Sequence, residues 1–161
     1  MVKVSPDDVA NVGSALRHLT LADDHLRAAL AAHLSINVTE LIALGHLAES
    51  EELTPTQLAQ LLGITTASVT VLVDHLEAAG FVYRTRSTAD RRSLLLRLTP
   101  AGARAIQWVH EQYRAAIAQA FEQGGVALLA PDVTVFLEQV SQTLAKAATA
   151  QPEPDPRPTR Q

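Results

Sequence analysis

The stretch from Thr54 to Thr99 constrains the fold most, because its hydrophobic pattern changes there from the period of a helix to that of a strand. Thr54-Pro55-Thr56-Gln57 has the signals of a capped helix start, and Gly63 ends the short helix that follows. A second helix is predicted from near Thr66 to Gly80, where glycine can adopt the left-handed conformation of a helix C-terminus.

Two short segments rich in strand-forming or apolar residues, FVYRTRS and SLLLRLT, come next. They flank Thr88-Ala89-Asp90-Arg91-Arg92 and predict a β-hairpin with a basic tip. Ala59 is small where the two helices must cross, and Gly63, four residues later, permits a tight turn between them. Helix, tight turn, helix and hairpin in this order predict a winged helix-turn-helix.

Helical patterns surround this unit on both sides. Ser5-Pro6 predicts a first helix that continues to about Leu34, and Asn37 with Glu40 predicts the start of the next. Thr99-Pro100 opens a long helix, and a last helix opens at Pro131. The last helix places an apolar stripe on one side, formed by Val133, Phe136, Leu137, Val140 and Leu144. The predicted fold class is therefore mostly α with a small β-hairpin wing.

The charge is unevenly distributed, although the chain as a whole carries −4. Thr54 to Arg104 contains six arginines and three carboxylates, a local charge of +3, while the remainder carries −7. A localised basic stretch on an acidic body is typical of a protein that binds a polyanion with one surface. A solvated arginine-rich hairpin without a partner is the alternative.

The sequence lacks the residues or motifs that several classes of function require. The chain has no cysteine, which excludes disulfides, thiol redox sensing and a cysteine nucleophile. It has no nucleophile elbow, phosphate loop or His-Glu-x-x-His, so we expect neither an enzyme nor a bound cofactor. No apolar run approaches the length of about 18 residues of a membrane span, and MVKVSPDDVA lacks the features of a signal peptide, so a cytoplasmic protein without membrane contact is expected.

Ser68 to Ile106, SVTVLVDHLEAAGFVYRTRSTADRRSLLLRLTPAGARAI, resembles the MarR (multiple antibiotic resistance regulator) family of winged-helix transcription factors. Asp90-Arg91-Arg92, followed by Leu98-Thr99 and Gly102, is similar to the wing signature of that family. The resemblance covers roughly residues 5–148 and implies a homodimer whose first and last helices interleave. Two winged domains would reach adjacent major grooves of a pseudo-palindromic double-stranded DNA operator, with half-sites about 10 bp apart.

The resemblance also implies a division of the chain. Residues 1–36 would form an N-terminal helical dimerisation arm and residues 37–104 the winged helix-turn-helix DNA-binding domain. Residues 105–150 would form a C-terminal helical dimerisation region. The composition of QPEPDPRPTRQ, four prolines alternating with mostly polar residues, predicts that residues 151–161 form a disordered tail.

The DNA contacts implied by the resemblance lie on the second helix of the motif and on the wing. Thr66, Ser68 and Thr70 would face the major groove. Arg92, or its neighbour Arg91, would enter the minor groove. Asp90 would hold the wing arginine by a salt bridge, while Arg84 and Arg86 of the first strand would neutralise phosphates.

Val71 and His75 stand where many relatives carry a basic residue, so Val71 could contact only an apolar group such as a thymine methyl. The expected DNA-binding residues are Thr65, Thr66, Ala67, Ser68, Thr70, Val71, His75, Arg84, Arg86, Asp90, Arg91 and Arg92.

Most proteins of the family are released from DNA by a small, often aromatic or anionic effector, which implies a repressor here. The candidate ligand-binding residues are His33, His46, Trp108 and His110. No metal site is expected, although His18, Asp24, His25, His110 and Glu111 leave a zinc-responsive regulator of the same fold as one alternative. A winged-helix module that contacts proteins rather than DNA is the other alternative.

Overall fold

The structure, a computed structural model, describes residues 5–50, 52–86, 94–123 and 130–149. Within these ranges the chain forms six helices and one antiparallel two-stranded sheet, in agreement with the predicted fold class. In chain order the elements are α1 (Pro6–His33), α2 (Val38–Ser50), α3 (Pro55–Leu62), α4 (Thr66–Ala78), β1 (Val82–Arg86), β2 (Leu94–Leu98), α5 (Pro100–Gln123) and α6 (Ala130–Thr149).

The helices begin where their capping residues predict. Ser5 caps α1. At the start of α2, the Glu40 backbone N–H donates to the Asn37 side chain over 2.9 Å, and the Glu40 carboxylate accepts from the Asn37 N–H over 2.8 Å. Thr54 and Gln57 exchange the same reciprocal pair at the start of α3. These bonds satisfy N–H groups that a helix end would otherwise leave without a partner.

The turn between α3 and α4 depends on Gly63, which has a φ of +64°. This left-handed backbone is strained for residues with a β-carbon, and it lets the Ile64 N–H donate to the Ala59 carbonyl over 3.1 Å. Two residues after Gly63 the Thr65 hydroxyl accepts from the Ser68 N–H and caps α4. The predicted helix-turn-helix is confirmed by this geometry.

The two strands form the stem of the predicted wing. Val82 pairs with Leu98 and Arg84 pairs with Leu96 in an antiparallel register. Leu53, just before α3, exchanges two backbone hydrogen bonds of 3.2 and 2.8 Å with Leu96, which ties the stem to the helix-turn-helix. The predicted basic tip with Asp90, Arg91 and Arg92 lies outside the described residues.

The core of this unit lies where α2, α3, α4 and β2 meet. On α4, the side chains of Val69, Leu72, Val73 and Leu76 are buried. The largest side chains that are almost completely excluded from solvent are Leu44, Leu47, Leu58, Leu76, Leu96, Val69 and Val73. This aliphatic core fixes which face of α4 is turned to solvent.

Gly102 permits an unusually close approach between the start of α5 and the start of β1. A β-carbon on Gly102 would lie 2.1 Å from the carbonyl oxygen of Phe81. The same Phe81 oxygen accepts the Thr99 N–H over 2.9 Å, and the Thr99 hydroxyl caps α5 by accepting from the Gly102 N–H. The Leu-Thr-x-x-Gly part of the wing signature therefore has a steric and hydrogen-bonding cause.

The chain divides into two compact units, residues 1–116 and residues 117–161. In the second unit, α6 begins at Ala130, one residue before the predicted start, and carries a groove lined by Phe136, Gln139, Val140, Thr143 and Leu144. Phe136 and Leu144 of the predicted apolar stripe are exposed. The domain boundaries at residues 36, 104 and 150 remain predictions, and the proline-rich tail lies outside the described residues.

In the described part of the chain, no individual helix combines the length and apolarity that a membrane crossing requires. Two bent pairs, α1 with α2 and α3 with α4, meet those requirements by length and composition only, across breaks of 90° and 105°.

Candidate nucleic-acid interface and adjoining cleft

The first turns of α4 present small polar side chains to solvent. Val69, Leu72 and Val73 turn inward and fix the opposite face of the helix outward. Of the outward side chains, Val71 is 56% exposed. The exposed set includes the predicted reading residues, which are Thr65, Thr66, Ala67, Ser68, Thr70 and Val71. Because these side chains are short, the backbone of α4 could come close to the floor of a DNA groove.

The hydroxyl groups on this face have local partners that orient them. The Ser68 and Thr65 hydroxyl oxygens lie 2.9 Å apart, within hydrogen-bond distance. The Thr70 hydroxyl donates to the Thr66 carbonyl over 3.1 Å, so the oxygen of Thr70 is oriented to accept rather than donate. The face is thus arranged before any ligand binds.

His75 connects α4 to the start of α2. Its Nδ1 lies 3.2 Å from Oε1 of Glu40, whose side chain is only 5% exposed. The other Glu40 oxygen accepts the Asn37 N–H of the α2 capping box. His75 therefore has a carboxylate partner within the protein, and its predicted contact with DNA remains a prediction.

Arg84 lies on the face of β1 that packs against the helices, beside buried Val82 and opposite buried Leu96. Its Nη2 donates to Oδ1 of Asp74 over 2.7 Å, and its Nη1 contacts the Glu77 carboxylate. These partners were not predicted from sequence, in which the arginine and both acids count only as separate charges. Arg86 is exposed at the end of the same strand.

The second strand of the wing stem is held by a different ion pair. Arg97 contacts Glu52, which precedes α3 in the chain. The hydrogen bond and charge of Glu52 raise the pKa of the Arg97 guanidinium above its already high ordinary value. The stem is thus anchored to the segment before α3 through β2 and to α4 through β1.

A cleft of about 210 Å³ lies between α1, α2 and the part of α5 up to Tyr113, and its lining residues all belong to the unit of residues 1–116. Its walls are mainly aliphatic, with a few polar side chains at one side, which is typical of sites for small organic molecules. The lining residues are Arg27, Leu41, Ile42, Gly45, Ile106, Val109, His110 and Tyr113.

The polar side of the cleft is a hydrogen-bonded cluster. The Tyr113 hydroxyl donates to Asp23 over 2.7 Å, and Arg27 contacts the other oxygen of the same carboxylate. Arg27 also lies 3.7 Å from Asp24. Burial, followed by the hydrogen bond to Asp23, raises the pKa of the Tyr113 phenol above its ordinary value of 10.0.

The structure distributes the four candidate ligand residues over different places. His110 lines the cleft, whereas His33 and Trp108 stack on each other with ring centroids 4.6 Å apart. His46 is half-buried on α2 and does not line the cleft. Arg27 and Tyr113, which also line the cleft, were not predicted from sequence. The acid–base pair Asp23 and Arg27, four residues apart on one helix, was the available signal for Arg27.

No three histidine, aspartate or glutamate side chains converge on a point that could hold a metal ion, within the ranges that the structure describes. This includes the set that motivated the zinc alternative, His18, Asp24, His25, His110 and Glu111.

A capped two-helix motif followed by a two-stranded stem defines a winged helix-turn-helix. Residues 34–93 match the model of the MarR family. The HTH-type transcriptional regulator YhjH of Bacillus subtilis is 30% identical over 86 residues, which span 53% of this chain and 49% of YhjH. The HTH-type transcriptional regulator PrsX of Escherichia coli is 42% identical over 60 residues, or 37% of this chain and 36% of PrsX.

The structural similarity to solved proteins covers more of the chain than these sequence matches do. A MarR family protein from Bacillus stearothermophilus superposes with a TM-score of 0.69 at 24% identity, over 92% of this chain and 100% of that protein. The match of residues 34–93, which include Asp90-Arg91-Arg92, confirms the resemblance to the MarR family over that part of the chain. The chain spans about half or less of the length of the two sequence relatives, which are named as transcriptional regulators and not as enzymes.

Proposed function

We propose that this protein is a dimeric, sequence-specific DNA-binding regulator of transcription, and that it is a repressor which a small molecule releases from its operator. The observation that carries the proposal is the exposed face of α4. This face begins at a capped helix end, carries only small or hydroxyl side chains in its first turn, and is followed in the chain by the stem of the wing.

The chemistry of this face suits base and phosphate contacts. The hydroxyls of Thr66 and Ser68 can bond to base edges or phosphate oxygens, and Val71 can contact a thymine methyl. Arg86 at the end of β1 would neutralise a phosphate. Arg92, or its neighbour Arg91, which the sequence places between the strands, would enter the minor groove.

A charge introduced on the face tests this role. Ala67→Glu adds a carboxylate to the exposed first turn of α4, where a negative charge favours the helix dipole, so the fold should persist. The matched control is Ala103→Glu, also an exposed alanine near the start of a helix, α5. We expect Ala67→Glu to abolish binding to a duplex selected from random DNA, measured by fluorescence anisotropy, while Ala103→Glu binds as the unsubstituted protein does.

Equal loss in both variants would show only a net-charge effect, and equal binding would remove α4 from the interface. Absence of salt-dependent DNA binding by the unsubstituted protein would favour a module that contacts proteins instead.

We propose that a second copy of the chain covers the apolar side chains exposed on its arms. Isolated exposed apolar residues are common, but these recur on three helices outside the winged helix-turn-helix. The exposed side chains are Val9, Val12, Leu19 and Leu21 on α1, Ile117 and Phe121 on α5, and Val135, Phe136, Leu137 and Leu144 on α6.

Phe136→Ala tests the dimer, with Ser141→Ala as the exposed polar control on the same helix. Phe136 is 46% exposed in the single chain, so about half of the roughly 3–5 kcal/mol for losing a buried ring, about 2 kcal/mol per chain, should come from the interface. Analytical ultracentrifugation should detect a weaker dimer for Phe136→Ala only. An unchanged monomer–dimer constant would contradict this role of α6.

The cleft between α1, α2 and α5 is the proposed effector site, with Arg27 as the group that recognises an anionic aromatic ligand. The ligand carboxylate would compete with Asp23 for the Arg27 guanidinium. Benzoate should raise the unfolding temperature of the protein and lower its DNA affinity. Arg27→Gln should weaken the binding of benzoate at least about tenfold, since a hydrogen bond to a charged group contributes about 1.5–3 kcal/mol. The binding of phenol, which carries no carboxylate, should be unchanged.

Arg114→Gln on the exposed side of α5 is the charge-matched control for that experiment. If benzoate binds Arg27→Gln and the unsubstituted protein equally, the cleft does not recognise anions through Arg27.

A further inference from the structure

Arg84 has several hydrogen-bond partners on α4, whereas an arginine that only increases solubility needs no partner within the protein. Its Nη2 reaches the Asp74 carboxylate over 2.7 Å and the Thr70 carbonyl over 3.4 Å, while its Nη1 contacts the Glu77 carboxylate. In addition, the Arg84 backbone N–H donates to Oε1 of Glu77 over 2.8 Å. One residue of β1 therefore holds three residues of α4.

The three partners share one side of α4. Thr70, Asp74 and Glu77 are spaced by four and three residues, which places them in a row along a helix. The planar guanidinium offers a fork of N–H donors in fixed directions, so it can bind two carboxylates at once and fix an angle as well as a distance. A lysine could not reproduce this geometry.

The same contacts argue against a phosphate contact by Arg84. Two carboxylates face one guanidinium, so the formal charges of the three side chains sum to −1. The Arg84 side chain is only 24% exposed and lies on the inward face of the stem. A phosphate would have to displace a carboxylate, and the exchange would neutralise little additional charge.

We propose that Arg84 is a positioning residue, which sets the angle between the wing and the reading helix and does not itself neutralise a phosphate. This replaces the expectation from the sequence, in which Arg84 and Arg86 have the same role. The inference rests on the proposed DNA binding. It predicts that DNA affinity depends on the shape of the Arg84 side chain and not merely on its charge.

The test compares Arg84 and Arg86, each changed to lysine and to glutamine, in the 161-residue chain. The duplex is one selected by the unsubstituted protein, and the dissociation constant is measured from 50 to 200 mM KCl, a range over which phosphate contacts change affinity strongly. Circular dichroism and the unfolding temperature establish that each variant is folded at the temperature of the titration.

For Arg84 we expect lysine and glutamine to weaken binding by similar factors, about tenfold, which is within the range for residues coupled in one network. The salt dependence should keep the slope of the unsubstituted protein. For Arg86 we expect glutamine to reduce the slope by about 0.9 for each phosphate that is no longer neutralised, and lysine to restore both slope and affinity.

Glu77→Asp provides an independent variant, because it keeps the charge and shortens the reach to Arg84. It should weaken DNA binding in the unsubstituted background and have no further effect in Arg84→Gln. If Arg84→Gln did not fold, Arg84→Lys would replace it as the background protein. Glu77→Asp should then have no further effect on DNA binding in Arg84→Lys.

Three outcomes would overturn the inference. Arg84→Lys could bind DNA as tightly as the unsubstituted protein, which would show that the shape of the side chain is not required, and Arg84→Gln could reduce the salt slope as Arg86→Gln does, which would make Arg84 a phosphate contact. A lower unfolding temperature with unchanged DNA affinity would limit Arg84 to folding stability. If the unsubstituted protein binds no duplex, the proposed function is itself wrong, and this inference falls with it.

Discussion

Gly102→Ala tests whether the close contact at the base of the wing is required for folding. The added β-carbon would lie 2.1 Å from the Phe81 carbonyl oxygen and 3.0 Å from its carbon, where ordinary contacts begin at 3.4 Å. The neighbours are a backbone carbonyl and the Leu98 side chain at 3.2 Å, so the start of α5 and the start of β1 must separate by more than 1 Å. The Phe81 oxygen would then lose or weaken its hydrogen bond with the Thr99 N–H.

The expected free-energy change follows from two opposing effects. Overpacking of a well-packed site costs about 1–3 kcal/mol, and a weakened backbone hydrogen bond adds about 1 kcal/mol. Alanine recovers up to about 1 kcal/mol over glycine inside a helix. We therefore expect Gly102→Ala to lower the free energy of unfolding by about 2 kcal/mol.

Urea denaturation followed by circular dichroism, at one fixed protein concentration, measures this change. The control is Gly13→Ala in α1, where the nearest group to the added β-carbon is Nη1 of Arg17 at an ordinary 3.6 Å, so stability should be unchanged or slightly higher. If Gly102→Ala unfolds at the same urea concentration as the unsubstituted protein, the contact with Phe81 is not a steric constraint and the reasoning is wrong.

Three further predictions follow from the described residues. Leu96→Ala, at a fully buried position in β2, should lower the free energy of unfolding by about 2–5 kcal/mol in the same urea assay, whereas Leu94→Ala at the exposed end of the strand should have a much smaller effect. The Tyr113 phenol should titrate above its ordinary value of 10.0 in ultraviolet absorbance; because its folded pKa is raised, its contribution to stability is present below that pH and is lost as the pH rises through the folded pKa. The Ser5 hydroxyl and backbone N–H hold the pKa of the Asp8 carboxyl below its ordinary value of 3.8, so this carboxyl stabilises the start of α1 above that pH and ceases to do so as the pH falls through the lower, folded value. An NMR titration of Asp8 in the unsubstituted protein and in Ser5→Ala should give a higher pKa in the variant, and an identical pKa in both would remove the Ser5 hydroxyl as a cause.

The helix boundaries could be predicted from sequence because their causes are local. Thr54 and Gln57 are three residues apart, and their hydrogen bonds need only the backbone of a single turn. Gly63 has an equally local cause, since a left-handed residue is required wherever a helix ends in a tight turn. The winged helix-turn-helix was recognisable for this reason before any tertiary contact was known.

The side-chain partners of the site could not be predicted in the same way, because they depend on strand register and helix orientation. Tyr113 and Asp23 lie 90 residues apart in the chain, and no local pattern relates them. Arg84 and Arg86 alternate along one strand with identical chemistry, yet Arg84 is held between two carboxylates while Arg86 is exposed at the strand end. Only the packing of β1 on α4 distinguishes them.

The same distinction changes the meaning of the local positive charge. The acids Asp74 and Glu77 are not scattered over the surface but surround Arg84, and Glu52 neutralises Arg97 in the other strand. Of the other described arginines in the stretch from Thr54 to Arg104, Arg86 at the end of β1 and Arg104 on α5 are exposed, and the sequence adds Arg91 and Arg92 between the strands. Under the proposed DNA binding, these are the charges available to a polyanion. Since α4 itself offers hydroxyl and apolar groups, the helix and the wing would have separate roles, in which the helix discriminates between base sequences and the wing supplies most of the electrostatic affinity.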